Sequence, residues 1–356
     1  MIKVIFSYRN KNTVIEAKQD EILGNIIEKY RFITNLNNIF FLYNGKMIKE
    51  ELRIEKIGKI GNLGKKENLI CIQVIDINSY IICEFDVEDN NSDIRIINSY
   101  EECKRELLIG ERENDYEFQN EEELKENCQI KIDEQIIPFS YLHKFNEKGK
   151  HVIQYSFFKN PTKINHLFCL CKSLKFVDFT NFDSKNVVNM SNLFSTCTKL
   201  NKVKFTNFNT QNVTNMSFVF DNCISLQFLD LSSFDTNKVT DMSFMFDSCQ
   251  SLLRINISNF NTQKVDKMNG MFSNCKDLKE INLSNFDTRN VRNMSWMFTG
   301  CISLTYLNLS NFITKEDTDT TAMFYGCNSL LNLNVDNFCS KKFDNIFIGC
   351  SILFKK

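Results

Sequence analysis

Phenylalanine returns every 26 residues through the C-terminal half of this chain, at Phe168, Phe194, Phe220, Phe246, Phe272, Phe298 and Phe324. A cysteine follows each by three positions: Cys171, Cys197, Cys223, Cys249, Cys275, Cys301 and Cys327. A shortened step of 23 then brings Phe347 and Cys350. A fixed period of this size marks units that cannot bury an apolar face alone and must stack on their neighbours. Identical side chains then lie above one another and share one interior.

After each cysteine the pattern L-x-x-[VIL]-x-[FLIV] returns, as in Leu226-Gln227-Phe228-Leu229-Asp230-Leu231. Its last four positions alternate, which predicts a short strand; seven such strands, each rejoined by the same connection, are expected to form a parallel sheet with about 4.8 Å between neighbours. Between strands runs F-[DN]-T-x-x-V-x-x-M-S-x-M-F, seen most fully from Phe234 to Phe246. Met242, Met245, Phe246 and Cys249 fall at i, i+3, i+4 and i+7, which predicts a short helix with that face inward. Thr or Ser just ahead of the Met is expected to start its first turn.

The cysteines fall one per coil in a line. A zinc site needs four ligands converging on a point, and parallel thiols suit a disulfide poorly, so the column reads as a packing seam with no metal and no cofactor. At the C-terminal end Phe347, Cys350 and Leu353 complete the last unit. The strand around Leu333 and Val335 is left at an edge, guarded by Lys355 and Lys356 or offering a weak dimer contact, so a monomer or weak dimer is expected.

These repeats resemble the BspA-like leucine-rich repeats, the 26-residue surface-protein repeat family of mycoplasmas, bacteria and protists, over about residues 164–354. The resemblance implies a right-handed solenoid used for protein recognition, and many members are displayed on cell surfaces. Here the segment Met1 to Arg9 has no apolar export core, and no run of about 18 apolar residues occurs anywhere. That predicts a soluble cytoplasmic protein and leaves a surface adhesin as the alternative.

Lys and Arg (43) nearly balance Asp and Glu (44), a net charge of −1 that supplies no field for nucleic acid or an anionic membrane. Residues 84–134 depart from this balance with 18 acidic against 6 basic side chains, a net of −12. Fourteen cysteines in a large chain without an export signal are expected to stay reduced. The abundance of Asn, Ile, Lys and Phe beside two prolines reads as a coding bias without functional content.

Residues 1–76 resemble a ubiquitin-like β-grasp domain. Strands Ile2 to Phe6 and Thr13 to Ala17 precede a helix carrying Ile22, Ile26, Ile27 and Tyr30, and Phe40-Phe41-Leu42-Tyr43-Asn44-Gly45-Lys46 and Leu69 to Val74 follow. The chain continues through Ile75-Asp76-Ile77-Asn78 without a terminal Gly-Gly, so the resemblance implies recognition, through a patch that includes Leu42, and not conjugation. Residues 77–128 read as an acidic linker region with strands and short charged helices; 129–163 read as a β-rich cap on the first coil of a solenoid spanning 164–356. The expected class is α+β.

Chemistry finds little support. His143, His151 and His166 lack metal-binding spacing and stand beside no nucleophile. The segment Gly58 to Lys66 departs from a phosphate loop at Lys59 and Lys66, and paired carboxylates in 84–134 lack the apolar surroundings that acid–base work needs. No enzyme is expected. Binding is assigned to residues that alternate away from the core onto a concave sheet face. One column reads Phe176, Lys202, Phe228, Arg254, Glu280, Tyr306 and Asn332; the next reads Asp178, Lys204, Asp230, Asn256, Asn282, Asn308 and Asn334. Phe176, Phe228 and Tyr306 are the expected anchors, with Arg254, Asn256, Asn282 and Asn308 beside them, for a protein partner of unknown identity.

Overall fold

The computed structural model describes residues 2–8, 11–18, 21–34, 39–43, 46–47, 69–76, 79–108, 115–339 and 346–347. They divide into two compact units, the first holding 1–79 with 126–128 and 156–159, the second the remainder. The described residues are mostly β with few helices.

In the first unit, β1 (Ile2–Tyr8) and β2 (Lys11–Ala17) form an antiparallel pair running from Ile2↔Ala17 to Tyr8↔Lys11. Strand β5 (Leu69–Asp76) joins β1 in parallel, and β3 (Ile39–Tyr43) and β4 (Lys46–Met47) extend the sheet in the order β2-β1-β5-β3-β4. Helix α1 (Leu23–Thr34) lies in sequence between β2 and β3. Its buried residues Leu23, Ile26, Ile27 and Tyr30 follow helical spacing, whereas Ile22 precedes the helix and is exposed. The sheet offers the alternating Val4 and Phe6, and the rings of Phe6, Tyr30 and Phe41 meet at centroid distances of 4.5, 5.7 and 5.9 Å. Burying each such side chain contributes about 1.5–3 kcal/mol. Leu42 pairs with Met47 and Gln73 in β3, but its side chain, like the segment from Gly58 to Lys66, lies outside the described residues.

The second unit begins with strands that adjoin the repeats. Strand β6 (Ser79–Val87) alternates buried and half-buried positions along its length, and β7 (Ile94–Arg95) follows it. Helices α2 (Tyr100–Glu106) and α3 (Glu121–Asn127) come next, then β8 (Cys128–Ile132), β9 (Gln135–Ile137), β10 (Leu142–His143) and β11 (Gly149–Phe157). Ser99 caps α2 by accepting the Glu102 amide. The first repeat strand, β12 (Leu174–Asp178), pairs antiparallel with β6, and the sheet order is β13-β12-β6-β11-β8-β9, with β13 spanning Lys202–Lys204. The strand laid directly on the repeats therefore comes from the segment expected to be an acidic linker, and 129–163 supplies the strands beyond it. Asn98 adds a second tie, donating its side-chain amide to the carbonyl of Cys169 at 2.9 Å.

Each 26-residue coil turns at three corners, and apart from Lys204, Lys267 and Ile313 each corner is an Asp or Asn whose Oδ1 accepts the backbone amide two residues on. Within one coil these are Asp230 with Ser232, Asp235 with Asn237, and Asp241 with Ser243, at 3.0, 2.9 and 2.9 Å. Short acceptor side chains are suited to this turn because they reach their own backbone without strain. The abundance of Asn thus has a structural use, contrary to the reading as coding bias. The third corner residue, and not the Thr before it, starts the turn into M-S-x-M-F; Thr240 donates instead to the Thr214 carbonyl of the preceding coil.

The predicted helix is absent from the repeats. Two columns hold left-handed backbone, one through Asn192, Phe218, Phe244, Gly270, Trp296 and Ala322, the other through Thr196, Asn222, Ser248, Asn274, Gly300 and Gly326, with φ from 50° to 73°. Such residues recur four positions apart within each turn, as at Phe244 and Ser248, and along this stretch every second amide points out of its own coil. The amides of Met242, Phe244, Phe246 and Ser248 donate to the carbonyls of Lys267, Asn269, Met271 and Ser273, while those of Met245, Asp247 and Cys249 close short turns three residues back. All are satisfied, as buried amides must be. An α-helix would have used these donors on itself and left adjacent coils unconnected. A left-handed non-glycine residue costs about 1–2 kcal/mol, which the pattern repeats twice per coil and which cross-coil bonds of about 1 kcal/mol each help to offset. At Gly270 a Cβ would meet ring carbons of Phe244 at 2.3 Å, so glycine makes room for that ring.

The strands are short: β14 (Phe228–Asp230) pairs with β15 (Arg254–Asn256), and β16 (Tyr306–Asn308) with β17 (Asn332–Asn334), while Glu280 makes only an isolated bridge to Tyr306. The expected unbroken sheet is thus a series of pairs. The longest unbroken ladder runs along the third corner, through Asn189, Asn215, Asp241, Lys267, Asn293 and Asp319.

Inside, the phenylalanine column stacks ring on ring from Phe168 through Phe324 to Phe347, at 5.5 to 5.8 Å. Each cysteine thiol from Cys197 to Cys327 donates to the carbonyl of the Phe 29 residues earlier, as Cys249 does to Phe220 at 3.1 Å. The column therefore adds a polar contact to its packing role. Buried threonines make a reciprocal link: Thr236 Oγ1 donates to the Asn261 carbonyl at 2.9 Å and accepts the Asn261 amide at 2.7 Å. Cys350, Leu353, Lys355 and Lys356 lie outside the described residues, so the expected C-terminal edge contact has no description.

Candidate interaction surface

On β14 and β16 the pattern exposed–buried–exposed sends Leu229 and Leu307 inward and turns Phe228 and Tyr306 outward, 57% and 52% exposed. Phe176, expected to be an equal anchor, is only half-buried because the Lys202 ammonium lies over its ring, 5.9 Å from the centroid. Across the coils Phe176 faces Lys202 in register, and Phe228 faces Arg254.

The Asn column has a different task. Asn256, Asn282 and Asn308 are the first corners of their coils, accepting the amides of Ser258, Ser284 and Ser310 at 3.3, 3.0 and 3.0 Å, as Asp178 and Asp230 do for Thr180 and Ser232. Their side-chain oxygens are committed to the fold, which removes the main reason for placing them in a binding site.

Two grooves meet on this face. One of about 1050 Å³ is lined by Lys175, Lys199, Lys202, Phe228, Arg254 and Asp86 among others; the second, of about 1100 Å³, shares Phe228 and Arg254 and reaches Tyr306. Lys175 lies 3.7 Å from Asp86, Lys199 pairs with Glu88 at 2.6 Å, and Lys204 pairs with Asp178 at 3.1 Å. Lys202 and Arg254 have no ion pair with a described residue. Lys175 and Lys199 escaped the sequence reading because they lie outside the two alternating columns, Lys175 near the start of β12 and Lys199 on the turn before β13.

A second set of aromatics stands on the turn face. Phe218 and Phe244 stack at 5.0 Å, and Trp296 is 46% exposed. They occupy the variable position of M-S-x-M-F, where the expected helix had suggested no role.

His151 bridges Asp133 Oδ2 at 2.6 Å and the Glu147 carbonyl at 2.9 Å. Burial pushes the thiols of Cys197, Cys223, Cys249, Cys275 and Cys301 well above the usual range, which keeps them protonated near neutral pH. Among the described residues no group of three or more His, Cys, Asp or Glu is placed to hold a metal ion, and no helix is long and apolar enough to cross a membrane.

No curated protein matches the chain. Among solved structures, a leucine-rich repeat protein from Bacteroides ovatus ATCC 8483 is 20% identical, with a TM-score of 0.27; the match covers 58% of this chain and 60% of that one. A family described as "Mycoplasma protein of unknown function, DUF285" matches residues 162–280 and 250–351. Those two matches span the coils described above and take in more than half of the 356 residues. The chain belongs to that DUF285 family.

Proposed function

We propose that this chain is a protein-binding adaptor whose repeats form a solenoid and whose strand face holds the partner. The reading rests on one observation: the side chains of Phe228 and Tyr306 project into adjoining grooves and, among the described residues, take no part in the coil's corners or its cross-coil hydrogen bonds. Large exposed aromatics raise the hazard of aggregation, and on a rigid surface they serve as anchors. The reading makes the chain a binder and not an enzyme, working in the cytoplasm.

The strand order β2-β1-β5-β3-β4 with a helix between β2 and β3 supports a ubiquitin-like fold for the first unit, which would act as a second docking module through a patch including Leu42. Surface display as an adhesin is the alternative, favoured by the resemblance of the repeats to surface proteins; locating the tagged chain separates the two.

The test is affinity capture from the source cell with the full chain, with Phe228→Ala/Tyr306→Ala and with residues 1–76 deleted. Loss of a captured protein with the double substitution, at unchanged solubility, is the expected result. Equal capture by wild type and double variant rejects the strand face as the binding surface.

A further inference from the structure

We infer that the strand face between Lys202 and Arg254 takes an acidic peptide segment carrying an apolar side chain between its carboxylates. This rests on the adaptor reading and adds the chemistry of the partner. In one row the side chains run aromatic, cation, aromatic, cation: Phe176, Lys202, Phe228, Arg254. The first pair and the last pair face each other in register. Lys202 and Arg254 are two coils apart, about 10 Å at the strand spacing of parallel sheets. Phe228, more than half exposed, stands between them.

The neighbouring charges decide which anion fits. Lys175, Lys199 and Lys204 are already matched by Asp86, Glu88 and Asp178, whereas Lys202 and Arg254 face the groove without an ion pair among the described residues. Two unmatched cations about an apolar anchor complement two carboxylates about an apolar side chain, an arrangement that gives both specificity and rate. A nucleic acid strand also combines stacking with cations. Its phosphate at every residue would bring charge against Asp230, which stands two residues beyond Phe228 on the same strand and has no ion pair with a described residue. A sparse acidic peptide needs carboxylates only at Lys202 and Arg254 and can set its apolar side chain beside Asp230, which lines the same groove.

Fluorescence anisotropy with the full chain tests this. The probes are a fluorescein-labelled peptide alternating glutamate and leucine, the same peptide with lysine for glutamate, and an oligouridylate of equal charge. The glutamate peptide is expected to bind, and to weaken at least tenfold between about 0.05 and about 0.5 M salt. Lys202→Glu/Arg254→Glu should weaken it more than tenfold and Phe228→Ala about tenfold. Arg292→Glu, an exposed charge on another side of the coil, should leave it unchanged. Circular dichroism confirms that each variant folds. Equal binding of the lysine peptide, an equal loss with Arg292→Glu, or tighter binding of the oligouridylate would overturn the inference, the last making the face a single-strand nucleic acid surface. If the glutamate peptide fails while Phe228→Ala/Tyr306→Ala still abolishes capture, the adaptor reading stands and the acidic partner falls.

Discussion

The N-terminal sheet and the repeat array are both β-rich, yet they obtain cooperativity in opposite ways. The sheet joins strands far apart in sequence, as at Lys3↔Leu69, around an aromatic cluster that occurs once. The array makes one set of contacts repeatedly with partners 25 to 29 residues away: the stacked Phe, the thiol on a carbonyl, the reciprocal Thr. Losing a unique cluster removes the reason for the whole sheet to fold. Losing one rung removes a nearest-neighbour term and leaves the other rungs intact.

The largest test of that difference is a pair of cavities. Phe6→Ala and Phe246→Ala should each cost about 3–5 kcal/mol. Hydrogen exchange is expected to show the first deprotecting every strand of the N-terminal sheet, and the second deprotecting only the coils near 246. Uniform loss across the array with Phe246→Ala would make it one cooperative block and end the comparison.

Smaller effects sharpen it. Thr236→Val removes a buried hydroxyl that serves two partners on the next coil and should cost about 2 kcal/mol in urea unfolding. Thr34→Val removes a hydroxyl that bonds only back to the Tyr30 carbonyl of its own helix, and should stay within about 0.5 kcal/mol. Equal effects would mean that the reciprocal link contributes nothing beyond the loss of a hydroxyl.

Charge within the array gives a pH signature. Burial raises the Asp221 carboxyl from 3.8 to about 6, against a lowering by the Ser195 hydroxyl at 2.8 Å and with a further rise from Asp247 on the next coil. A folded pKa above the unfolded value means that the folded state holds the proton more tightly. The stabilisation is complete below about pH 4 and is lost as pH rises through 6. The shift corresponds to about 1–2 kcal/mol after allowance for partial exposure. Melting of Asp221→Asn should lack the part of the pH dependence between 4 and 7 that wild type shows; identical profiles would remove Asp221 as its source.

The smallest effect separates corner from contact. Asn308→Ala should lower stability by about 0.5–1 kcal/mol through the lost turn bond and leave capture of a partner unchanged. Weaker capture at unchanged stability would return the Asn column to the binding surface.

Much of the fold was legible because burial follows period. The columns Phe168 to Phe324 and Cys171 to Cys327, the strand positions of Leu229 and Leu307, and the helical stripe Ile26, Ile27 and Tyr30 are where spacing places them. The turn at Met242 to Cys249 was misread because i, i+3, i+4, i+7 reports which side chains share a face, not how the backbone between them is bonded. Left-handed backbone at Phe218, Phe244 and Trp296 leaves no trace in composition, since such residues ordinarily avoid it. At the candidate site the exposure of Phe228 and Tyr306 followed from alternation. The half-burial of Phe176 under Lys202 and the use of Asn308 as a corner depended on contacts between neighbouring coils and local turns.

The sequence alone determined that equivalent side chains would align at 26-residue intervals, because a shared apolar interior is the only way for units so small to leave water. It did not determine which carbonyl each amide would find. That choice belonged to the tertiary structure. Only when one coil lies on the next do the amides of Met242 and Phe246, the thiol of Cys249 and the hydroxyl of Thr236 have partners within reach, and those partners select turns where the isolated segment would favour a helix.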